Sequence, residues 1–134
     1  MNIQDLYIGQ NYTLEKTFQE NDVIEFSKLS MDDNPIHIDE EYASTTIFRR
    51  RIVHGFLVSS LFSAIIGTKM PGNGSIYLNQ TMNFRKPVFL EQKVIAKVSI
   101  LSINVEKQVI ELETNCYDIN GNILINGSAL IKLI

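Results

Sequence analysis

The chain has 134 residues, 45% of them apolar, which is enough to fill one core and excludes wholesale disorder. Twelve Lys and Arg stand against fifteen Asp and Glu, a formal charge of −3 that excludes the broad basic face of a general nucleic-acid binder. A single cysteine, Cys116, excludes an internal disulfide, and no Cys/His set has zinc-ligand spacing. The first residues show no basic stretch followed by an apolar core, and no run of about 18 apolar residues occurs. The expectation is a cytoplasmic protein without a signal peptide or membrane span. No repeat or linker divides the sequence, so residues 1–134 read as one domain.

Tyr12, Leu14, Lys16 and Phe18 alternate with Thr13, Glu15 and Thr17, which predicts an edge strand. Asp22, three residues ahead of Glu25, resembles a capping box, and Val23, Phe26 and Leu29 recur at helical spacing. That helix is expected to stop near Ser30, because Pro35 restricts the residues before it. Met31 to Ile38 reads as loop, and Asp39 as the cap of a short helix through Tyr42 and Ala43. Gly55 to Gly67 is apolar on nearly every side, with no charge before Lys69, and predicts a long helix buried all round.

Pro71-Gly72-Asn73-Gly74 breaks the chain, and alternation then takes over. Val94, Ala96, Val98 and Ile100 face one way, and Ile110, Leu112, Thr114 and Cys116 repeat the pattern. Asn120-Gly121 suits a type I′ turn, after which Ile123, Ile125, Gly127, Ala129 and Ile131 form the return strand. These strands need an apolar body to wrap, and the long helix is the one available. The predicted class is α+β, one long helix enclosed by a curved antiparallel sheet.

Chemistry concentrates in Asp32-Asp33-Asn34-Pro35-Ile36-His37. Pro35 fixes its own φ and pushes Asn34 towards an extended conformation, so the loop can hold Asp32 and His37 about one water molecule as a general acid/base pair. The same residues also suit a plain turn with a packed histidine. Gly55 opens the long helix, where N–H groups are free and the dipole is positive. Its amide suits an oxyanion site, or the glycine merely permits the turn. His54 reads as structural, and His37 and His54 lack a third partner for a metal. Ser59, Ser60 and Ser63 would each satisfy a carbonyl one turn back, and no Gly-x-Ser-x-Gly elbow surrounds them. Arg49-Arg50-Arg51 and Arg85-Lys86 are the clustered cations, either a solvated face or a patch for the phosphates of a ligand such as coenzyme A.

Phe26 to Ala43, with Asp32-Asp33-Asn34-Pro35-Ile36-His37 inside it, resembles the hydratase-2 motif of MaoC-like (R)-specific enoyl-CoA hydratases. The resemblance continues through Ile52-Val53-His54-Gly55 and Gly74-Ser75-Ile76-Tyr77 and covers essentially the whole chain. It implies a hot-dog fold and reversible hydration of a trans-2-enoyl-CoA to a (3R)-hydroxyacyl-CoA, with no metal and no redox cofactor. Asp32 and His37 would activate the water, Gly55 would polarise the thioester carbonyl, and Ser63 would support Asp32. Ile66 and Ile131 would set acyl-chain length. A homodimer, or a larger assembly of dimers, with coenzyme A near the subunit boundary is also implied. Two departures accompany the match: Met31 stands where many members have glycine, and Asp33 adds a second carboxylate, expected to face outward. A hot-dog acyl-CoA thioesterase and a non-catalytic acyl-CoA-binding module are the alternatives that share this pocket.

Overall fold

The four alternating segments, joined by a fifth strand that the sequence reading does not anticipate, form an antiparallel sheet in a computed structural model that describes residues 1–134. Its strands are β1 (Asn11–Thr17), β2 (Ser75–Phe84), β3 (Lys93–Asn104), β4 (Val109–Tyr117) and β5 (Ile123–Leu133), in the order β1-β3-β4-β5-β2. The helices are α1 (Glu20–Ser30), α2 (Pro35–Ile38), α3 (Glu40–Ser44) and α4 (Gly55–Thr68).

The register explains the core. Ala96, Val98 and Ile100 stand opposite Cys116, Thr114 and Leu112, and all six are buried. That inner face packs on Val58, Phe62, Ile65 and Ile66 of α4, each at most 1% exposed. Burying one such side chain contributes about 2 kcal/mol, so this seam holds helix and sheet together. A long helix clasped by a curved antiparallel sheet is the hot-dog fold, as expected, with β1 at one edge.

Four local expectations are corrected. α1 starts at Glu20, two residues before the expected cap, and Asp22 Oδ2 accepts the Gln19 amide at 2.9 Å from inside the first turn. The segment read as loop contains α2, because Asn34 Oδ1 accepts Ile36 N at 3.1 Å and Pro35 takes the first helical position, where its missing N–H costs nothing. α4 is not buried all round: Phe56, Ser60, Ser63 and Gly67 form an exposed stripe, because a single sheet covers only one side of the helix. The β4–β5 connection is not a two-residue type I′ turn. Gly121 has positive φ but Asn120 does not, and Asp118 Oδ1 gathers the amides of Asn120 and Asn122, both at 2.9 Å, into a wider loop.

The end of α1 is where expected, with a further cause. Met31 sits in the left-handed region at φ 68°, ψ 11°, which terminates the helix and turns the chain into the Asp32 loop. Asp39 caps α3 by accepting Tyr42 N at 3.1 Å, as its sequence position implies.

Candidate active site

Asp32, His37 and His54 converge at the start of α4. One side-chain donor atom from each lies within 4.8 Å of the other two, and both histidines are buried while Asp32 is exposed. Three local devices produce this. The left-handed Met31 reverses the chain; Asp32 Oδ1 accepts Asn34 N at 3.3 Å, forming a tight turn; α2 then lifts His37 towards the extended segment before α4. Ile52 N donates to Ile36 O at 3.3 Å, tying that segment to α2.

Each imidazole is oriented by a carbonyl. His37 Nδ1 lies 2.7 Å from Ile52 O, and because a carbonyl only accepts, Nδ1 carries the hydrogen. Burial holds the His37 pKa below its ordinary value of 6.5; the Ile52 hydrogen bond opposes this, the neighbouring His54 ring adds to it, and Asp32 opposes it weakly. His37 is therefore neutral at pH 7, with the Nε2 lone pair available as an acceptor. His54 Nε2 lies 3.0 Å from Asp32 O and 3.2 Å from Ser27 Oγ, and the ring edge of Phe26 meets His54 with centroids 4.8 Å apart. His54 Nδ1 is buried without a partner. The loop is a hydrogen-bonded turn with a packed histidine, and it keeps His37 Nε2 free of a partner within the chain.

The sequence reads His54 as structural, and the structure agrees. That side chain grips the Asp32 backbone and stacks on His37 with ring centroids 3.8 Å apart and planes 23° from parallel. Its signal was the placement of a histidine at the cap of an otherwise apolar helix. Asp32 brings a third donor atom to the two histidines, a partner that the sequence spacing does not show. Their nearly parallel stacked rings keep the in-plane lone pairs in separate planes, and these do not meet at one ion about 2.1 Å from both nitrogens.

Gly55 is the first residue of α4, and its N–H has no hydrogen-bond partner in the fold. Its φ is not in the left-handed region, so the turn does not demand glycine. Space is the tighter constraint: a Cβ at Gly55 would stand 2.5 Å from Phe84 Cε1, so that half-exposed ring would have to shift. Gly55 and Phe84 line a largely apolar cavity of about 350 Å³, with Val58 and Ile125 in its wall and Arg85 and Lys86 beside them. The cavity meets the cluster of Asp32, His37 and His54 along Ile52 to Gly55: Ile52, Val53 and Gly55 line it, and Ile52 O orients His37.

The remaining candidates are less close. Ser63 lies on the exposed stripe of α4, and no hydrogen bond joins it to Asp32 within the chain. Ser59 and Ser60 donate to the carbonyls of Phe56 and Leu57, the satisfied state expected of helical hydroxyls. Ile66 and Ile131 are 1% and 0% exposed and belong to the core seam. Asp33 is exposed, as expected. Cys116 is sealed in the sheet with its thiol pushed up by burial to about 12, so it is no nucleophile.

Residues 5–121 match the family described as MaoC like domain. The chain is 41% identical over 133 residues to an (R)-specific enoyl-CoA hydratase of Aeromonas caviae, covering 99% of each. It is 36% identical over 130 residues to a 3-hydroxybutyryl-CoA dehydratase of Methylorubrum extorquens, covering 97% of this chain and 82% of that one. Among solved structures it is similar to an (R)-hydratase from A. caviae involved in PHA biosynthesis, with a TM-score of 0.95 and 41% identity over 98% of this chain and 99% of that one.

Proposed function

Because the chain belongs to the MaoC-like family, we propose that it is an (R)-specific enoyl-CoA hydratase, adding water reversibly to a trans-2-enoyl-CoA to form a (3R)-hydroxyacyl-CoA. One observation carries the chemical part. His37 Nδ1 is committed to Ile52 O, so a neutral Nε2 is left to face the reaction beside the Asp32 carboxyl.

A water molecule between them has two hydrogens and two acceptors. His37 Nε2 holds one hydrogen and orients the oxygen. Asp32 takes the other as the oxygen bonds to the β-carbon, then delivers that proton to the α-carbon. The Gly55 N–H, at the positive end of α4, donates to the thioester oxygen while enolate charge develops there. The atoms of one water are conserved across the double bond and no electrons leave, so the addition is redox-neutral.

The proposal extends to a homodimer. β1 ends the sheet with Glu15 and Lys16, and Glu15 pairs with Lys93 at 2.9 Å. β2 ends the other side with ten uncharged residues, among them the exposed Ile76, Leu78 and Phe84. An open, uncharged edge invites pairing with a second copy. The exposed α4 stripe, and Ser63 with it, then lies at the subunit boundary. No helix is long and apolar enough to cross a membrane. The reduced, buried Cys116 and the acyl-CoA substrate fit the cytoplasm.

The test is loss of enoyl-thioester absorbance when the protein meets crotonyl-CoA, with the configuration of the 3-hydroxybutyryl-CoA determined by a stereospecific dehydrogenase. Hydration to the 3R product, abolished in Asp32→Asn, supports the reading. Thiol release from a saturated acyl-CoA would make it a thioesterase, and saturable binding without product would make it a binding module.

A further inference from the structure

Three Asn-Gly pairs occur in the chain: Asn73-Gly74, Asn120-Gly121 and Asn126-Gly127. Each holds the parts of one reaction, in which the glycine amide nitrogen attacks the carboxamide carbon of the asparagine before it. Glycine offers that nitrogen without a side chain in the way. Ring closure requires the peptide between the two residues to rotate until its nitrogen faces the asparagine side chain. The fold gives the three pairs unequal freedom to make that rotation.

Asn126-Gly127 lies in β5 with a strand on each side. Gly127 stands opposite Thr114 of β4 and Met82 of β2, and Asn126 Oδ1 accepts Arg85 Nε at 3.2 Å. Rotation there would break the ladder. Asn120-Gly121 is exposed but knotted about Asp118: Gly121 N donates to Asp118 O at 3.1 Å, and Asp118 Oδ1 accepts Asn120 N at 2.9 Å. The attacking nitrogen is already spent as a donor, and the carboxylate beside it opposes the loss of its proton.

Asn73-Gly74 carries neither restraint. Both residues are exposed, and they form the middle of a turn that Ser75 N closes by donating to Gly72 O at 3.2 Å. Positive φ at Gly74, 91°, and not at Asn73 marks the turn as type II. The peptide that joins Asn73 to Gly74 has no backbone hydrogen bond at either its C=O or its N–H. It can turn over with the Gly72–Ser75 bond intact, because type I and type II turns share that bond and glycine tolerates both.

We propose that Asn73 is a site of spontaneous deamidation, selected from the three pairs by the fold, and that its iso-aspartyl product loosens the seam between β2 and β5. Gly74 N loses its proton and bonds to Asn73 Cγ; the Cγ–NH2 bond breaks and ammonia leaves with that proton. Water then opens the five-membered imide at either carbonyl. Breaking the new bond to Cγ gives aspartate, and breaking the original main-chain bond gives iso-aspartate. One water is consumed, one ammonia is released and no electrons are exchanged. Both products add a negative charge, but only iso-aspartate adds a methylene to the main chain. That methylene has consequences at this position, because Gly74 O accepts Ile134 N at 3.0 Å and a Cβ on Gly74 would stand 3.3 Å from Ile134 O. Displacing Gly74 pulls Ser75 away from Leu133, its partner at the end of β5.

The experiment holds the folded protein in mildly alkaline buffer made with heavy-oxygen water and follows each pair by peptide mapping and mass spectrometry. Asn73 should exchange its carboxamide for a labelled carboxyl about tenfold faster than Asn120, the factor that one hydrogen bond carries, with Asn126 slowest. In denaturant the three rates should converge, since the local chemistry is the same. Equal rates at Asn73 and Asn120 in the folded protein, or an unchanged ratio in denaturant, would overturn the selection by the fold. Asn73→Asp supplies the charge without the methylene. The iso-aspartyl form, separated by chromatography, should unfold at a lower denaturant concentration than Asn73→Asp, and equal midpoints would overturn the effect on the seam.

Discussion

His54 stacks on His37 at 3.8 Å between ring centroids while its Nε2 donates to the backbone oxygen of Asp32, so one side chain positions both members of the proposed acid/base pair. His54→Ala would leave the Asp32 carbonyl without its donor and a void beside His37. The expected loss is about 2–4 kcal/mol of stability together with a fall in kcat of tenfold or more. His54→Gln can return an N–H to Asp32 but not the stack, and should recover part of kcat. Denaturant titration and turnover of the three proteins check this. Equal kcat in all of them would reduce His54 to packing.

Asp32→Asn and His37→Ala should each fold and each lose about two orders of magnitude or more in kcat, the usual contribution of a general acid/base group. Ser63→Ala should fold and lose less, because no hydrogen bond joins Ser63 to Asp32 within the chain. Circular dichroism and steady-state kinetics separate the cases. A folded Asp32 or His37 variant that keeps more than a tenth of wild-type kcat would remove that residue from the site.

The pH dependence follows from the lowered His37 pKa. Unfolding returns the imidazole to its ordinary value of 6.5, so the unfolded chain binds the proton more readily. The His37 share of stability is complete above that pH and is lost as pH falls through the lower, folded value. Protonation also removes the Nε2 acceptor, so kcat/KM should share this acid limb, with its midpoint below 6.5. The stability difference between wild type and His37→Gln, followed against pH, isolates this contribution. A limb centred above 6.5 would contradict it.

Gly55→Ala sets helix propensity against a contact of 2.5 Å with the Phe84 ring. Phe84 is half exposed and can swing aside, so folding free energy should change by no more than about 1 kcal/mol. Activity is more sensitive: kcat/KM should fall about tenfold, because the new Cβ crowds the free amide. Adding Phe84→Ala, with Phe84→Ala alone as reference, should not restore it. Restoration would mean that glycine is needed only to make room for the ring.

Met31→Gly should stabilise the protein by about 1 kcal/mol, read as a higher denaturation midpoint. Met31 occupies φ 68° with its side chain 86% exposed, so glycine relieves the backbone and removes little packing. An unchanged or lower midpoint would show that the thioether makes a contact of value in solution.

The sequence made the sheet and α4 legible because their patterns are local: alternation in β3 and β4, and an apolar run closed by Pro71-Gly72. It made Asp32 and His37 legible because a proline-stiffened loop places an acid and an imidazole close along the chain. What escaped depends on distance in sequence. His54 acts on a residue 22 positions earlier, and a side chain at Gly55 would meet Phe84, 29 positions later. Arg51 and Arg85 look alike until Glu20 and Glu40 are folded against one of them. The bare side of α4 could not be inferred from its own residues, since which side a sheet covers is settled by the sheet.

The strand order β1-β3-β4-β5-β2 also sets an order of assembly. Only β3, β4 and β5 pair with a sequence neighbour across a short turn, so the segment from Lys93 to Leu133 can zip without closing a long loop. β1 must find β3 about eighty residues away, and β2 must find β5 about fifty away. Asp32, His37 and Gly55 all lie between those two late-docking strands. A refolding chain should therefore gain sheet signal before it gains turnover, and a nascent chain has no site until β5, synthesised after every strand it pairs with, has joined the sheet.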